Sequence, residues 1–495
     1  MVSKDPNERN AAQKIGDFTS RFLMGIRRVN FSYRGTSSLV IPGFMNQPGF
    51  LGQQKVDGVY SPGLAFVFGI HNDNTLQDFY DKGWLYSGRD VVNPANEAIT
   101  SDLNINASIE PIPGLKIDLT MQRQTASNST IQYMHEGMPS TFNGNFNITQ
   151  VAIRTAFDRI GSAEENYNSP TFNQFMENRR IILGRLEYQM NGRAYPNSGF
   201  FTEADVAARY SGKTFNSEAG LGNYDINSPE VLIPAFLSAY TGQDPLKVNT
   251  NPFLSLLQIL PNWNLNYNGL SNLEFFREKF RSVSITHAYT NRYTIGNYTS
   301  FANWVPVAGA SDNTMGFVFD GQNELAIPAM AYDVSSVSMN ESFSPLIGVN
   351  IAMKNNITAK TEIRKQRNLA LNLTSTQLVE ADADEFLIGI GYVVNDFKLF
   401  KNSSKKSNVK NDLKLNADVS YKDVKTLLRK VNEEITQASS GNKLIAIKVM
   451  ADYVFSSKVN LQLFFDRQST VPLISSTFPV SSTNFGISFK FMLTR

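Results

Sequence analysis

Cysteine is missing altogether from this chain of 495 residues, so disulfides, thiol nucleophiles and Cys-based zinc or iron–sulfur sites are excluded. Long apolar runs are missing too. The best of them, Leu64–Ile70 and Phe253–Leu260, fall far short of the ~18 residues a membrane-spanning helix needs. Histidine is scarce: His71, His135 and His287 lie far apart and form no His-Glu-x-x-His or other ligand spacing. Each reads as a loop or girdle residue. Neither a Gly-x-Ser-x-Gly elbow nor a Walker loop occurs. Gly389-x-Gly391 lies within an alternating stretch, where small residues permit close packing or curvature. Catalytic residues, a bound metal and a cofactor are therefore not expected. Charged residues make up only 18% of the chain and the net charge is +2. That balance lacks the basic excess of a nucleic-acid binder.

What the chain does have is Phe and Tyr, 35 and 19 of them, with abundant Asn, Ser and Thr and a mildly negative mean hydropathy. A transmembrane β-barrel wall gives this mixture, because only alternate strand residues touch lipid while the others face water. The alternation itself is clearest in the last third. Ile347, Val349, Ile351 and Met353 precede Asn355-Asn356, and Ile357, Ala359, Thr361 and Ile363 follow, which reads as a β-hairpin. Phe386–Val394, Leu413–Tyr421, Ile445–Phe455, Val459–Phe465 and Phe485–Leu493 repeat the period of two.

Earlier stretches do the same: Val29–Tyr33, Leu64–Phe68, Leu103–Ile109, Leu115–Met121, Trp263–Tyr267 and Val283–Tyr289. The expected fold is all-β, an antiparallel transmembrane outer-membrane β-barrel. Between residues 156 and 260 the period changes, and Phe172–Leu186 and Pro229–Tyr240 look helical. The expected organisation is barrel strands and loops over 1–155, a partly helical insertion over 156–260 facing the lumen or the outside, and barrel strands over 261–495.

The strands are expected to run ~9–11 residues, the length of a tilted membrane strand. Asn355-Asn356 and Ser456–Lys458 read as tight turns, while Thr374–Glu385, Asp423–Asn442 and Ser469–Thr483 read as long polar loops. Bacterial barrels place short turns in the periplasm and long loops outside. A soluble β-sandwich also alternates, but its solvated face would carry denser Lys and Glu. In one strand the outward register reaches Lys365 and Arg367, where a cation at the bilayer midplane costs ~2–4 kcal/mol. Either they stand above the membrane, or a bulge shifts the register, or another protein covers that wall.

Several polar groups are candidates for function. Lys360, Glu362, Arg364, Lys448, Asp452, Gln462, Asp466 and Lys490 fall on the inward register and are expected to line an aqueous path or form lumen salt bridges. The acidic Glu380, Asp382, Asp384 and Glu385 read as a solvated outer loop, with calcium binding as the sharper alternative. Lys398, Lys401, Lys405, Lys406 and Lys410 suit anionic headgroups, a periplasmic partner or plain solvation.

Particular stretches carry a resemblance: IPGFMNQPGFLG (Ile41–Gly52), PGLAFVFG (Pro62–Gly69), LPNWNLNYNGLSNL (Leu260–Leu273), SVSITHAYTNRYTIGNYTSF (Ser282–Phe301), SPLIGVNIAMKNNITAKTEIRKQRNLALNL (Ser344–Leu373) and TNFGISFKF (Thr483–Phe491). Together they resemble the C-terminal region of the SprA/Sov family, the outer-membrane translocon of the type IX secretion system in Bacteroidota, linked to gliding motility. The resemblance implies a large arc of a single very large barrel that passes folded cargo proteins bearing a C-terminal sorting domain. It also implies a PorV-type barrel partner over a lateral opening, a periplasmic plug protein, and no catalytic site. Met1 to Gln13 carry no signal-peptide core, so the chain is expected to be the C-terminal piece of something longer. Two other classes stay open: a self-contained porin or fatty-acid-transporter-like channel, and an outer-membrane hydrolase. The last would need a Ser/His pair close together near the barrel rim.

Overall fold

The computed structural model describes residues 25–491, except 48, 73, 87, 89–92, 136–137, 139, 202, 256–259, 302, 309–313, 398–411, 457–458 and 475–477. Its frame is one antiparallel sheet of 14 strands. These are β1 (Ile26–Val40), β2 (Ala95–Ile112), β3 (Leu115–Ile131), β4 (Ser140–Thr149), β5 (Asn262–Tyr267), β6 (Phe280–Ser300) and β7 (Tyr332–Val334) in the first part. Then follow β8 (Ser336–Met353), β9 (Ile357–Asn372), β10 (Gln377–Val394), β11 (Leu413–Lys430), β12 (Ile435–Ser456), β13 (Val459–Pro472) and β14 (Val480–Phe491).

Sequence neighbours pair as a meander, with one interruption. β4 and β5 both lie between β3 and β6: Thr149 stands beside Arg292, and Asn262 beside Thr120. They are two halves of one position in the sheet, and the chain leaves and returns in mid-strand. The short β7 caps the upper end of β6. The wall therefore has twelve strand positions, and β1 and β14 are its edges. Among the described residues these edges do not pair with each other.

Side chains alternate along each strand, so either face can be followed through the ladder registers. One face carries Phe31, Ile105, Leu119, Leu265, Ile285 and Val349. It continues through Ile363, Ile388, Val419, Ile447, Leu463 and Ile487. The result is an apolar band crossing all twelve positions, ~50 Å wide at ~4.8 Å per strand. Much of it is open: Ile390 is 56% exposed and Val419 47%.

The apolar stretches have the expected length, but the strands do not. β9, β10, β11 and β12 run 16, 18, 18 and 22 residues. The segments read as long loops are mostly strand: Thr374–Glu385 and Asp423–Asn442 reduce to the turns Leu373–Thr376 and Val431–Glu434. Polar residues on both faces hid the alternation there, and cross-strand charge pairing sustains it instead. Where the band stops, Lys365, Asp384, Asp423 and Lys443 form a charged row across four strands. A second correction concerns Leu64–Phe68. It is not a strand; Leu64–Val67 is a single helical turn. Phe66 packs edge-on against Phe79 at 5.1 Å, in a local cluster with Trp84 and Tyr133. A short unbroken apolar run is ambiguous between strand and helix, and nearby packing decided it.

The insertion is partly helical where expected. Its helices are α1 (Pro170–Met190), α2 (Ala204–Tyr210) and α3 (Pro229–Thr241). Ser169 caps α1 by accepting from the Phe172 amide, with Pro170 at the first turn. Gly242, at φ 69°, ends α3 in the left-handed region. The insertion lies on the same face as the apolar band, above it. Phe175, Ile182, Phe236 and Tyr240 form one core with Tyr293, Met339 and Leu371 of the wall. A small sheet of Val305–Pro306, Gly316–Asp320 and Leu325–Ala329 closes this core through Phe317 and Ala326.

Glu230, at the start of α3, is buried and accepts a hydrogen bond from the Met330 amide at 2.9 Å. Burial is the largest influence on it and raises its carboxyl above the usual range; Asp333 adds to the shift. A carboxyl raised on folding contributes its full stability below the unfolded value and loses it as pH rises through the folded one. Glu230→Gln keeps an acceptor for Met330 and cannot ionise. At pH 7 it should raise the thermal unfolding midpoint, by ~1 °C for each kcal/mol in a chain of this length. The gap should close near pH 4, and a gap that persists there would refute the role of this charge.

Candidate functional site: the polar face and two buried arginine clamps

The opposite face of the wall is polar. All eight residues read as inward from the sequence lie on it, between β9 and β14. On β9 the charges are matched locally. Lys360 Nζ stands 2.8 Å from Glu362, which also binds Arg364, and Arg364 reaches Glu385 at 3.5 Å. Gln462 donates to Asp452 at 2.8 Å. Lys448 stands opposite Asp466 in the ladder, and Lys490 opposite Asn460. Gly389 and Gly391 share this face, and a Cβ there would collide with Asp418 Oδ1 and Thr358 Oγ1. Without one, those side chains lie flat across the strand. Higher up, Gln122, Thr290, Arg292, Asn340, Ser342 and Gln366 line a groove of about 700 Å³. Its chemistry is mostly neutral amide and hydroxyl.

The apolar face holds two buried arginines above the band. Arg367 forks onto Glu341 at 2.7 and 3.0 Å. It also donates to the Thr155 carbonyl at 2.7 Å and Thr155 Oγ1 at 3.1 Å. Glu341 accepts from Tyr289 Oη at 2.7 Å, and that hydroxyl accepts from the Ala152 amide at 2.8 Å. Arg429 repeats the design on the next strands. It binds Glu380 at 2.7 Å, donates to the carbonyls of Tyr167 at 2.8 Å and Ile160 at 3.0 Å, and lies over the Phe172 ring. In each clamp a carboxylate on the neighbouring strand balances the charge, and carbonyls and hydroxyls, most of them in the chain between β4 and β5, take further donors. These are planar forks suited to bidentate pairing.

The clamps answer the Lys365 and Arg367 question. The β9–β10 ladder has no bulge, and the cover comes from this chain's own insertion. Lys365 is half-enclosed between Asp382 at 3.0 Å and Asp384 at 3.2 Å. The acidic stretch is accordingly not a solvated loop. It is strand, with Glu380 and Asp382 paired on one face and Glu385 on the other. Among the described residues no group of three acidic or His side chains is arranged to hold a metal ion. The lysine cluster at 398–410 lies outside the described residues.

The histidines separate by environment. His135 is exposed in a turn. His287 Nδ1 lies 2.6 Å from the Leu346 carbonyl, near the rings of Trp263 and Phe343. His71 meets partners from two strands: its Nε2 is 3.1 Å from Ser37 Oγ and its Nδ1 is 3.4 Å from Glu97 Oε1. Sequence reasoning missed this meeting, since Ser37 and His71 are 34 positions apart with no motif around either.

No protein-family model matches the chain, and no curated protein matches it.

The clamps give a direct test. Arg429→Met leaves Glu380 buried without its partner, at a cost of about 3–5 kcal/mol. Cleavage by a protease within residues 156–168 should accelerate by ~100-fold or more where opening is at equilibrium. The double variant Arg429→Met/Glu380→Met should recover most of that loss. Equal cleavage of wild type and single variant would show that the clamp does not hold the insertion.

Proposed function

We propose that this chain is a wall segment of an outer-membrane protein-conducting channel, the type IX translocon implied by the SprA/Sov resemblance. The observation that carries the membrane part is the open apolar band, continuous over twelve strand positions. Soluble monomers rarely expose apolar patches beyond a few hundred Å², and this one is larger. No helix among the described residues is long and apolar enough to cross a bilayer, so strands would do the crossing. The band's height, about nine residues of tilted strand, suits a hydrocarbon layer of ~25 Å.

In this reading the polar face is the lumen. The eight residues carry four cations (Lys360, Arg364, Lys448, Lys490) and three carboxylates (Glu362, Asp452, Asp466). A lining of mixed sign presents no strong field of one sign, which suits passage of varied folded proteins. The tight turns mark the periplasmic rim, and the insertion-covered strand extensions stand outside the cell. By the same resemblance the partners are a PorV-type barrel, a periplasmic plug and cargo with C-terminal sorting domains. Transport energy comes from elsewhere.

Two measurements test the proposal. The chain should float with vesicles and resist alkaline extraction, and Val419→Arg in mid-band should lower the inserted fraction by an amount worth ~2–4 kcal/mol. Disrupting the gene should trap sorting-domain proteins in the periplasm; unchanged secretion would refute the translocon. Discrete small-solute conductance from this chain alone would favour the porin alternative.

A further inference from the structure

The contact between Ser37, His71 and Glu97 belongs neither to the polar face nor to the clamps. Ser37 and Glu97 project from the same face of β1 and β2, because Ser37 pairs with Ile99 and Leu39 with Glu97. His71 enters from the β1–β2 connection and inserts between them. Its side chain is 5% exposed and that of Glu97 18%, while Ser37 is open to the surface.

This is the arrangement that activates a hydroxyl: nucleophile and imidazole within hydrogen-bond reach, with a third group on the far ring nitrogen. The 3.4 Å from Nδ1 to Glu97 is longer than a formed hydrogen bond, as is common before substrate tightens such a site. The β1–β2 connection that carries His71 has open apolar side chains: Phe50, Leu64, Phe68 and Ile70 are 51–88% exposed.

We propose that Ser37, His71 and Glu97 form a serine-nucleophile site that hydrolyses carboxylic esters of long apolar acyl chains. Ser37 Oγ attacks the ester carbonyl as its proton passes to His71 Nε2. The bond to the alcohol oxygen then breaks, and Nε2 returns the proton to that oxygen. Water attacks the acyl-Ser37 carbonyl while giving a proton to Nε2; the bond to Oγ breaks, Oγ is reprotonated, and the carboxylic acid leaves. Glu97 is a positioning residue, orienting the ring through Nδ1–H. The exposed side chains of the β1–β2 connection receive the acyl chain. The activity is independent of conduction, so either can fail without the other.

The test uses the full chain in detergent micelles, with a fluorophosphonate probe and p-nitrophenyl palmitate. Wild type should be labelled and should turn over the ester. Ser37→Ala, a small change at an exposed site, should abolish labelling with the strand signature unchanged in circular dichroism. His71→Gln should lower hydrolysis by ~100-fold or more, and Glu97→Gln should lower kcat while leaving KM unchanged. Ser32→Ala, on the opposite face, should match wild type. An unlabelled wild type, or label that survives in Ser37→Ala, overturns the proposal.

Discussion

Side-chain parity is the constraint on which the rest depends. A strand offers its residues alternately to two faces, and a slip of one residue would exchange them. Across twelve positions the apolar set stays on one face, even where the ladder is irregular. Between Phe343 and Ile347, Ser344, Pro345 and Leu346 oppose only Arg364. The excess is two residues, an even number, so Phe343 and Ile347 emerge on the same side. An excess of one at that place would have turned half of β8 inside out.

That single apolar face is divided by height. Its lower part is the open band; its upper part is covered by the insertion. Covering extended strands with protein would strand any charge on them, and Arg367 and Arg429 are such charges. Each is neutralised by a carboxylate one strand away and bound by carbonyls of the segment between β4 and β5. Breaking a buried pair costs more than the pair contributes. The clamps therefore fix where the insertion sits rather than adding much to overall stability. They join residues separated by 212 and 262 positions, tying the mid-strand excursion back to strands that are made much later in the chain.

Local sequence determined a good deal about this protein. Period-two alternation gave most of the band strands, the Asn355-Asn356 turn and the polar face with its eight charged or amide residues, because these depend on near neighbours. The change of period between residues 156 and 260 marked the insertion, and α1 and α3 lie where their patterns placed them. Only the tertiary structure decided the remainder. Strand extensions read as loops because their polar residues have no local periodicity to reveal partners on adjacent strands. Lys365 and Arg367 looked misplaced because their counter-charges and their cover come from distant segments. Ser37, His71 and Glu97 meet only through the β1–β2 ladder and the returning connection. Short-range pattern reports which solvent a side chain prefers; which group stands opposite it is a property of the folded sheet.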